Sequence, residues 1–342
     1  MNATVPAGGT PPRLREDLDS LTGLVRLAAD HLDLDTAFLE KDFWVTELVR
    51  AVAAGDHVSD ADGNQLPVTT VFKGGTSLSR VFGLIDRFSE DVDLLVVFPK
   101  NAGMGARQSA LRRIADTART HLGLAPEDCT TQESTTGVKR NLRYRYPRKF
   151  SNPAAREYLL LEMGSRGGPD PHDTHTMRSM VAEYAASQRG EGPDTWEEFA
   201  PLTVAVLAPE RTLLEKLALL HNLGSRFPDD DVAQQYMAQA GRHYYDVKCL
   251  LDAPAVRKAL TDLGTSGVGT LVDDINARSQ AAGWRYMPRP AGGFADSPAF
   301  DPVAPCRAVA ERSFEIALGM VYGVQPTYDD CLTQVQNSRH LL

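Results

Sequence analysis

The chain has 342 residues, 42% of them apolar and 24% charged, which suits a globular protein with one large core or two smaller ones. Its net charge of −9 argues against a protein that coats nucleic acid non-specifically, while leaving room for a local basic patch and for a basic partner on an acidic surface. No run of about 18 apolar residues occurs, which argues against a membrane span. Cys129, Cys249, Cys306 and Cys331 form no Cys-x-x-Cys pair, so buried thiols in a reducing cytoplasm are expected rather than a zinc site.

Residues 1–12 are small, polar and rich in Pro and Gly, lack an apolar signal segment, and read as a flexible leader. From Asp35, Trp44, Leu48 and Val52 recur every four residues beside Val45 and Val49, predicting an amphipathic helix capped by Asp35 or Thr36. It stops before Gly55, and a turn-rich stretch leads to Pro67. Residues 68–72 read as a strand, and Leu78, Phe82 and Ile85 follow at helical spacing. After Arg87, FSEDVDLLVVF reads as a second strand, 104–120 as a helix, 139–150 and 156–166 as two more strands. Most of 167–200 is polar and reads as a linker with a short helix near MVAEYAAS, and from Pro209 the chain turns helical, interrupted by the loop 288–302. The order implies an α+β protein: a mixed sheet with helices on one side, N-terminal helices before it and a C-terminal helical bundle after it. The predicted regions are 1–66, 67–200 and 201–342.

Asp91 and Asp93 lie two apart on a strand, so both side chains point to one face. Two adjacent carboxylates repel each other unless a cation sits between them, and magnesium prefers such hard oxygen ligands. A solvated strand edge is the competing reading, although the apolar run LLVVF directly after the pair favours a site at the mouth of a buried strand. Gly74, Gly75, Thr76 and Ser77 stand between a strand and a helix, where glycine permits close backbone approach and free N–H groups face an anion. Taken alone the same residues read as a tight capped turn. Glu162, near the end of a neighbouring strand, is the candidate third carboxylate.

Gly-Gly-Thr-Ser, a helix of about ten residues and Asp-Val-Asp on the next strand together resemble the signature of DNA polymerase β-like nucleotidyltransferases. FKGGTSLSRVFGLIDRFSEDVDLLV further resembles the first motif of the AbiEii/MenT toxins of bacterial toxin–antitoxin systems, and includes Arg87, Phe88 and Ser89. LEKDFWVTELVRA, LAPERTLLEKLALLHN, GRHYYDVKCLL and MVYGVQPTYDDCL resemble that family's other blocks, so the resemblance spans about residues 36–335 in order. It implies Asp91 and Asp93 as metal ligands with Mg2+ as cofactor, Lys216 as a phosphate-binding lysine and Asp246 as an additional catalytic acid. The long linker, and a glutamate at 162, depart from the pattern.

Helical spacing agrees with the resemblance at two positions. Lys216 borders the apolar face of Leu213, Leu217 and Leu220, where a lysine must reach out to water or meet an anion. Asp246 lies four before Leu250, and an acid on an inward-leaning stripe needs a partner, for which Lys216, Arg242 or the nucleotide are candidates. Arg143, Arg145, Arg148 and Lys149 alternate with Tyr144 and Tyr146, which suits either a phosphate backbone and an unpaired base or a strand with one solvated Arg face. His172 and His175 lie in a polar loop without further ligands, and His221 and His243 fall in the later blocks without an assignable role.

The resulting expectation is transfer of a nucleoside monophosphate from an NTP to an RNA acceptor, the resemblance implying the 3′ end of a tRNA, with a separate antitoxin as partner and no membrane. Transfer to a small molecule or a protein hydroxyl, a non-catalytic RNA- or partner-binding module, and NTP-dependent protein phosphorylation stay open as alternatives.

Overall fold

The computed structural model describes residues 10–60 and 63–342. Most of the expected leader, residues 1–9, therefore lies outside the described residues; Pro12 already accepts a hydrogen bond from the Glu197 amide. The chain forms two compact units: 10–76, Glu90–Ser165 and Asp173–Val206 make the first, and Ser77–Ser89, Arg166–His172 and Leu207–Leu342 the second.

The first unit is built on a mixed sheet of β1 (Asp56–Ser59), β2 (Gln65–Lys73), β3 (Asp91–Val97), β4 (Cys129–Thr135), β5 (Lys139–Tyr144), β6 (Leu159–Gly164), β7 (His172–Met177) and β8 (Leu202–Leu207). The strands lie in the order β4-β5-β6-β3-β2-β8-β7, with β1 added beside β2. β3 runs antiparallel to β2 and parallel to β6, and β5 runs antiparallel to β6. Four strands were not anticipated, the first of them β1, directly after the helix predicted from Asp35, where only a turn-rich stretch was expected. β4 is polar and exposed along most of its length, so it carries no alternation to read. β7 occupies the expected linker, as does a helix at MVAEYAAS, and β8 fills the space before Pro209.

Two helices precede the sheet, α1 (Leu18–Leu32) and α2 (Thr36–Val52), each capped by the aspartate before it. α2 matches the predicted helix but not its predicted exposure: Glu40, Lys41, Asp42 and Glu47 are buried with the apolar residues. Each of these charges has a task. Glu40 accepts from the amides of Lys149 and Phe150, Lys41 pairs with Glu90, Asp42 accepts from the Met180 amide, and Glu47 pairs with Arg50 and His121. Buried charges persist only when paired or hydrogen-bonded, so α2 acts as a spine that fixes four separate segments.

α3 (Gly74–Arg80) is shorter than the helix of about ten residues expected there: Phe82 and Ile85 lie beyond its end, and the chain turns at Gly83, where φ is 60°. α4 (Met104–His121) buries Leu111, Ile114 and Ala118, and the Tyr144 hydroxyl donates to the Ala115 carbonyl within it. That bond identifies the helix-covered face of the sheet, shared by Leu142, Tyr144, Leu159, Leu161, Met163 and Val92. α5 (Met180–Arg189) completes the unit's helices.

The second unit is helical, with α6 (Pro209–Arg226), α7 (Asp231–Met237), α8 (Gly241–Asp252), α9 (Pro254–Ala281), α10 (Arg307–Ala317) and α11 (Tyr328–Asn337). Leu213, Leu217 and Leu220 of α6 are fully buried, as the spacing predicted, against Tyr244, Leu250 and Leu251 of α8 in one core. Residues 86–88 pair with 320–322: Phe88 N donates to Met320 O, Tyr322 N to Asp86 O, and the Phe88 and Tyr322 rings stand 4.7 Å apart. Two sequence blocks more than 200 residues apart thus form one structural feature. Among the described residues no helix is long and apolar enough to cross a membrane.

Candidate active site

In the first unit the strand register decides which side chains meet. Asp93 lies opposite Glu162 of β6 and Lys73 of β2, and Glu162 lies opposite Asn141 of β5. Directly opposed residues share a face, so Asp91, Asp93, Glu162, Asn141 and Arg143 all stand on the face away from α4. Asn141 donates to the Glu162 carboxylate at 3.0 Å. Burial, then Asp93 and Asp91, push the Glu162 carboxyl up to about 7. Like carboxylates gathered in one place repel each other, and a cation between them relieves that repulsion.

The glycine turn fits around this cluster. Gly74 has φ 80°, and a Cβ built on it would lie 2.1 Å from Asp93 Oδ2. Glycine is thus required twice, by conformation and by the closeness of the carboxylate. The Thr76 hydroxyl donates to the Asp91 carbonyl at 2.6 Å. It locks the turn to the start of β3, and Thr76 and Ser77 are both fully buried.

Arg156, not anticipated, donates to Asp91 Oδ1 at 2.7 Å. Its own amide is held by Glu90, which also pairs with Lys41 at 2.7 Å, and Lys41 donates to the Arg156 carbonyl. The buried Lys41 of the LEKDFW block therefore serves to fix the chain on both sides of the acidic pair. The alternation of acid and base at 41, 90, 156 and 91 is tertiary, so no spacing in the sequence signals it.

Among the described residues no three His, Cys, Asp or Glu side chains form a ready-made metal cage. Small divalent cations do not demand one: Mg2+ keeps several waters and takes one or two carboxylates together with substrate phosphates. The donor set of Asp91 and Asp93, with Glu162 at hand, fits such an ion. His172 and His175 lie on β7 and not in a loop, and His172 stands beside Asp170 at 3.2 Å. The cysteines are free thiols, Cys306 and Cys331 buried and the other two partly so.

The raised Glu162 carboxyl has a consequence for stability. Its folded value exceeds the ordinary 4.5, so its contribution is fully present below about pH 4.5 and is lost as pH rises through about 7. Metal-free wild type should therefore lose melting temperature between pH 5.5 and pH 8 more steeply than Glu162→Gln, which has no charge to bury. Thermal melts in chelator at both pH values check this; equal slopes would show that Glu162 titrates normally.

In the second unit, Lys216 and Asp246 meet as a buried ion pair at 2.8 Å. Arg87 grips the other side of Asp246 with two bonds, Nε to Oδ1 at 2.7 Å and Nη2 to Oδ2 at 2.8 Å. Burial would raise the Asp246 carboxyl, but Arg87 and Lys216 outweigh it and hold it far below the usual carboxylate range. Lys216 also donates to His243 Nδ1 at 3.3 Å. Burial, then Lys216 and Arg242, push His243 well below its ordinary value, so its ring is neutral. Arg242 itself is exposed on α8. His221 is structural: it lies 2.9 Å from both the Ser297 hydroxyl and the Pro288 carbonyl, pinning the loop after α9. Gly241, at the start of α8, admits the Ser313 carbonyl where a Cβ would stand 2.1 Å from it.

Arg143 and Arg145 are exposed, and Arg143 lies 4.3 Å from the Tyr158 ring centroid. Arg148 pairs with Glu157 at 2.7 Å, and Lys149 is held through its backbone amide by Glu40. Tyr144 and Tyr146 are buried, so they are core residues and not stacking platforms.

A mixed sheet bearing paired carboxylates beside a glycine turn is the polymerase β-like nucleotidyltransferase arrangement. The family model described as the nucleotidyl transferase AbiEii toxin of type IV toxin–antitoxin systems matches residues 60–301. Among curated proteins none matches the chain. Nucleotidyltransferases generally use divalent metals, in keeping with the carboxylate cluster. On the fold, the acidic strand and a match over most of its length, the chain belongs to the AbiEii family of nucleotidyltransferase toxins.

Proposed function

We propose that the enzyme uses Mg2+ to transfer a nucleoside monophosphate from an NTP to the 3′ end of a tRNA, blocking translation in the cytoplasm until a separate antitoxin counters it. The observation that carries the reading is the gathering of Asp91, Asp93 and Glu162 on one sheet face against the backbone of Gly74. Asp91 and Asp93 hold the metal, with Glu162 as the third carboxylate. When bound, the ion screens the triphosphate and makes the α-phosphorus more electrophilic. The backbone from Gly74 to Ser77 supports the phosphates, and Lys216 and Arg242 offset their charge. Catalysis then rests on position and electrostatics.

The acceptor side is proposed at Arg143 and Arg145. Arg143 shares the sheet face of Glu162 one strand away, and both guanidinium groups are exposed. Arg148 and Lys149 flank them with more limited freedom. Changing Arg143 and Arg145 to Ala should raise the KM for tRNA and leave that for NTP unchanged. The salt dependence of tRNA binding should flatten by about 1.4–1.8 log units per log unit of salt, for two lost phosphate contacts. Filter binding from low to high salt measures it; identical slopes would make these arginines a solvated strand face. The acceptor atom is tested by periodate oxidation of the tRNA 3′ end, which should abolish labelling if that end is the nucleophile.

A further inference from the structure

We propose that Asp246 is a positioning residue and that Arg87 is its clamp: the pair holds the Lys216 ammonium charged and in place for the NTP, and Asp246 itself touches neither substrate nor metal. This rests on the reading of Lys216 as a phosphate contact.

The geometry carries the assignment. Asp246 has no exposed surface, and both its oxygens are engaged, Oδ1 by Arg87 and Oδ2 by Arg87 and Lys216. A bidentate guanidinium fixes the carboxylate plane as a single-point contact cannot. Arg87 is itself set by the pairing of its strand-like segment with Val321, and it donates to the Phe88 carbonyl at 3.1 Å. The ArgPheSer block, the TyrTyrAsp block and the MetValTyrGly block thus converge on the placement of one amine.

The amine needs that acid. The charged and titratable groups around Lys216 are Asp246, His243 and Arg242 of α8 and Arg87 of the 81–90 loop. Burial lowers the Lys216 pKa, Arg87 and Arg242 push it the same way, and Asp246 opposes them. With the acid neutralised, only lowering influences remain, and the amine loses its proton at a lower pH. A neutral amine offers a triphosphate no charge, so nucleotide affinity should fall and should recover as pH is lowered.

The test measures binding of each of the four NTPs with Mg2+ by calorimetry between pH 6.5 and 8.5, with kcat and KM alongside. Lys216→Ala should weaken the best NTP by roughly ten- to a hundredfold at every pH, the effect of losing a charge-assisted bond. Asp246→Asn should weaken it comparably at pH 8.5 and recover at pH 6.5, and Asp246→Asn with Lys216→Ala should be no weaker than Lys216→Ala alone. Asp246→Asn leaves a buried guanidinium without its acid and is exposed to misfolding. Arg87→Met with Asp246→Asn removes both partners and should show the same pH-dependent loss. Unchanged NTP affinity with a collapsed kcat in either Asp246 variant would make Asp246 a group acting on the reaction itself and overturn the inference. Loss of affinity without recovery at low pH, in the folded double variant, would also overturn it. If Lys216→Ala binds NTP normally, the phosphate reading of Lys216 fails instead, a result separate from either of these.

Discussion

Asp93→Asn should reduce nucleotide transfer by on the order of a thousandfold or more while leaving the fold intact. Asp93 stands at the centre of the carboxylate cluster, opposite Glu162 on one side and Lys73 on the other, with Gly74 packed against its oxygen. An amide keeps this shape and removes the charge, so the loss falls on cation binding and on the electrostatic stabilisation that depends on it. Relief of the repulsion with Glu162 should leave the metal-free variant as stable as wild type or more so. Transfer assays and thermal melts in chelator measure the two effects. A wild-type rate in Asp93→Asn would remove the acidic pair from the chemistry.

Gly74→Ala should be nearly as damaging, by a steric route. A methyl group there would overlap Asp93 Oδ2 and force a residue with a side chain to hold φ 80°. The backbone conformation alone costs about 1–3 kcal/mol, and the carboxylate must move out of register with Glu162. Activity should fall on the order of a hundredfold or more, because sub-ångström misplacement at a site built on position is costly. Gly75→Ala, at a residue without a positive φ, is the control and should be much milder. If the two substitutions have equal effects, the close approach of Gly74 to Asp93 is not what the turn is for.

Parts of both clusters are legible in the sequence alone, because they depend on local periods. The two-residue spacing of Asp91 and Asp93 fixes a common face on any strand, and the four-residue spacing around Lys216 and Asp246 fixes a common border on any helix. What was not legible is partner choice over long separations. Arg87 and Asp246 are 159 positions apart, and nothing local marks Arg87 as the clamp. Arg156 reaches Asp91 through a segment that joins two strands, and its positioning by Lys41 and Glu90 depends on α2 being buried on nearly every side. The apolar stripe of α2 is visible in the sequence, but a stripe does not reveal that the polar positions beside it are buried too. β4 is silent for a different reason: Thr, Gln, Glu and Ser along a pleated edge give no alternation of burial, so its existence follows from pairing with β5 and not from its own pattern. The Tyr/Arg alternation of 139–150 admits two readings from sequence; in the structure the tyrosines lie in the core while Arg143 and Arg145 are exposed.

Transfer of the nucleoside monophosphate unit with a divalent metal held at the acidic strand is the reaction expected of this enzyme. It is tested most directly by incubating the purified chain with total tRNA and each NTP in turn, labelled at the α- or the γ-phosphate, with Mg2+ or with chelator. α-Label is expected in tRNA from at least one NTP, absent in chelator and absent with Asp93→Asn, with no transfer from the γ-position. Label carried from the γ-phosphate, or α-label that persists in chelator, would contradict it.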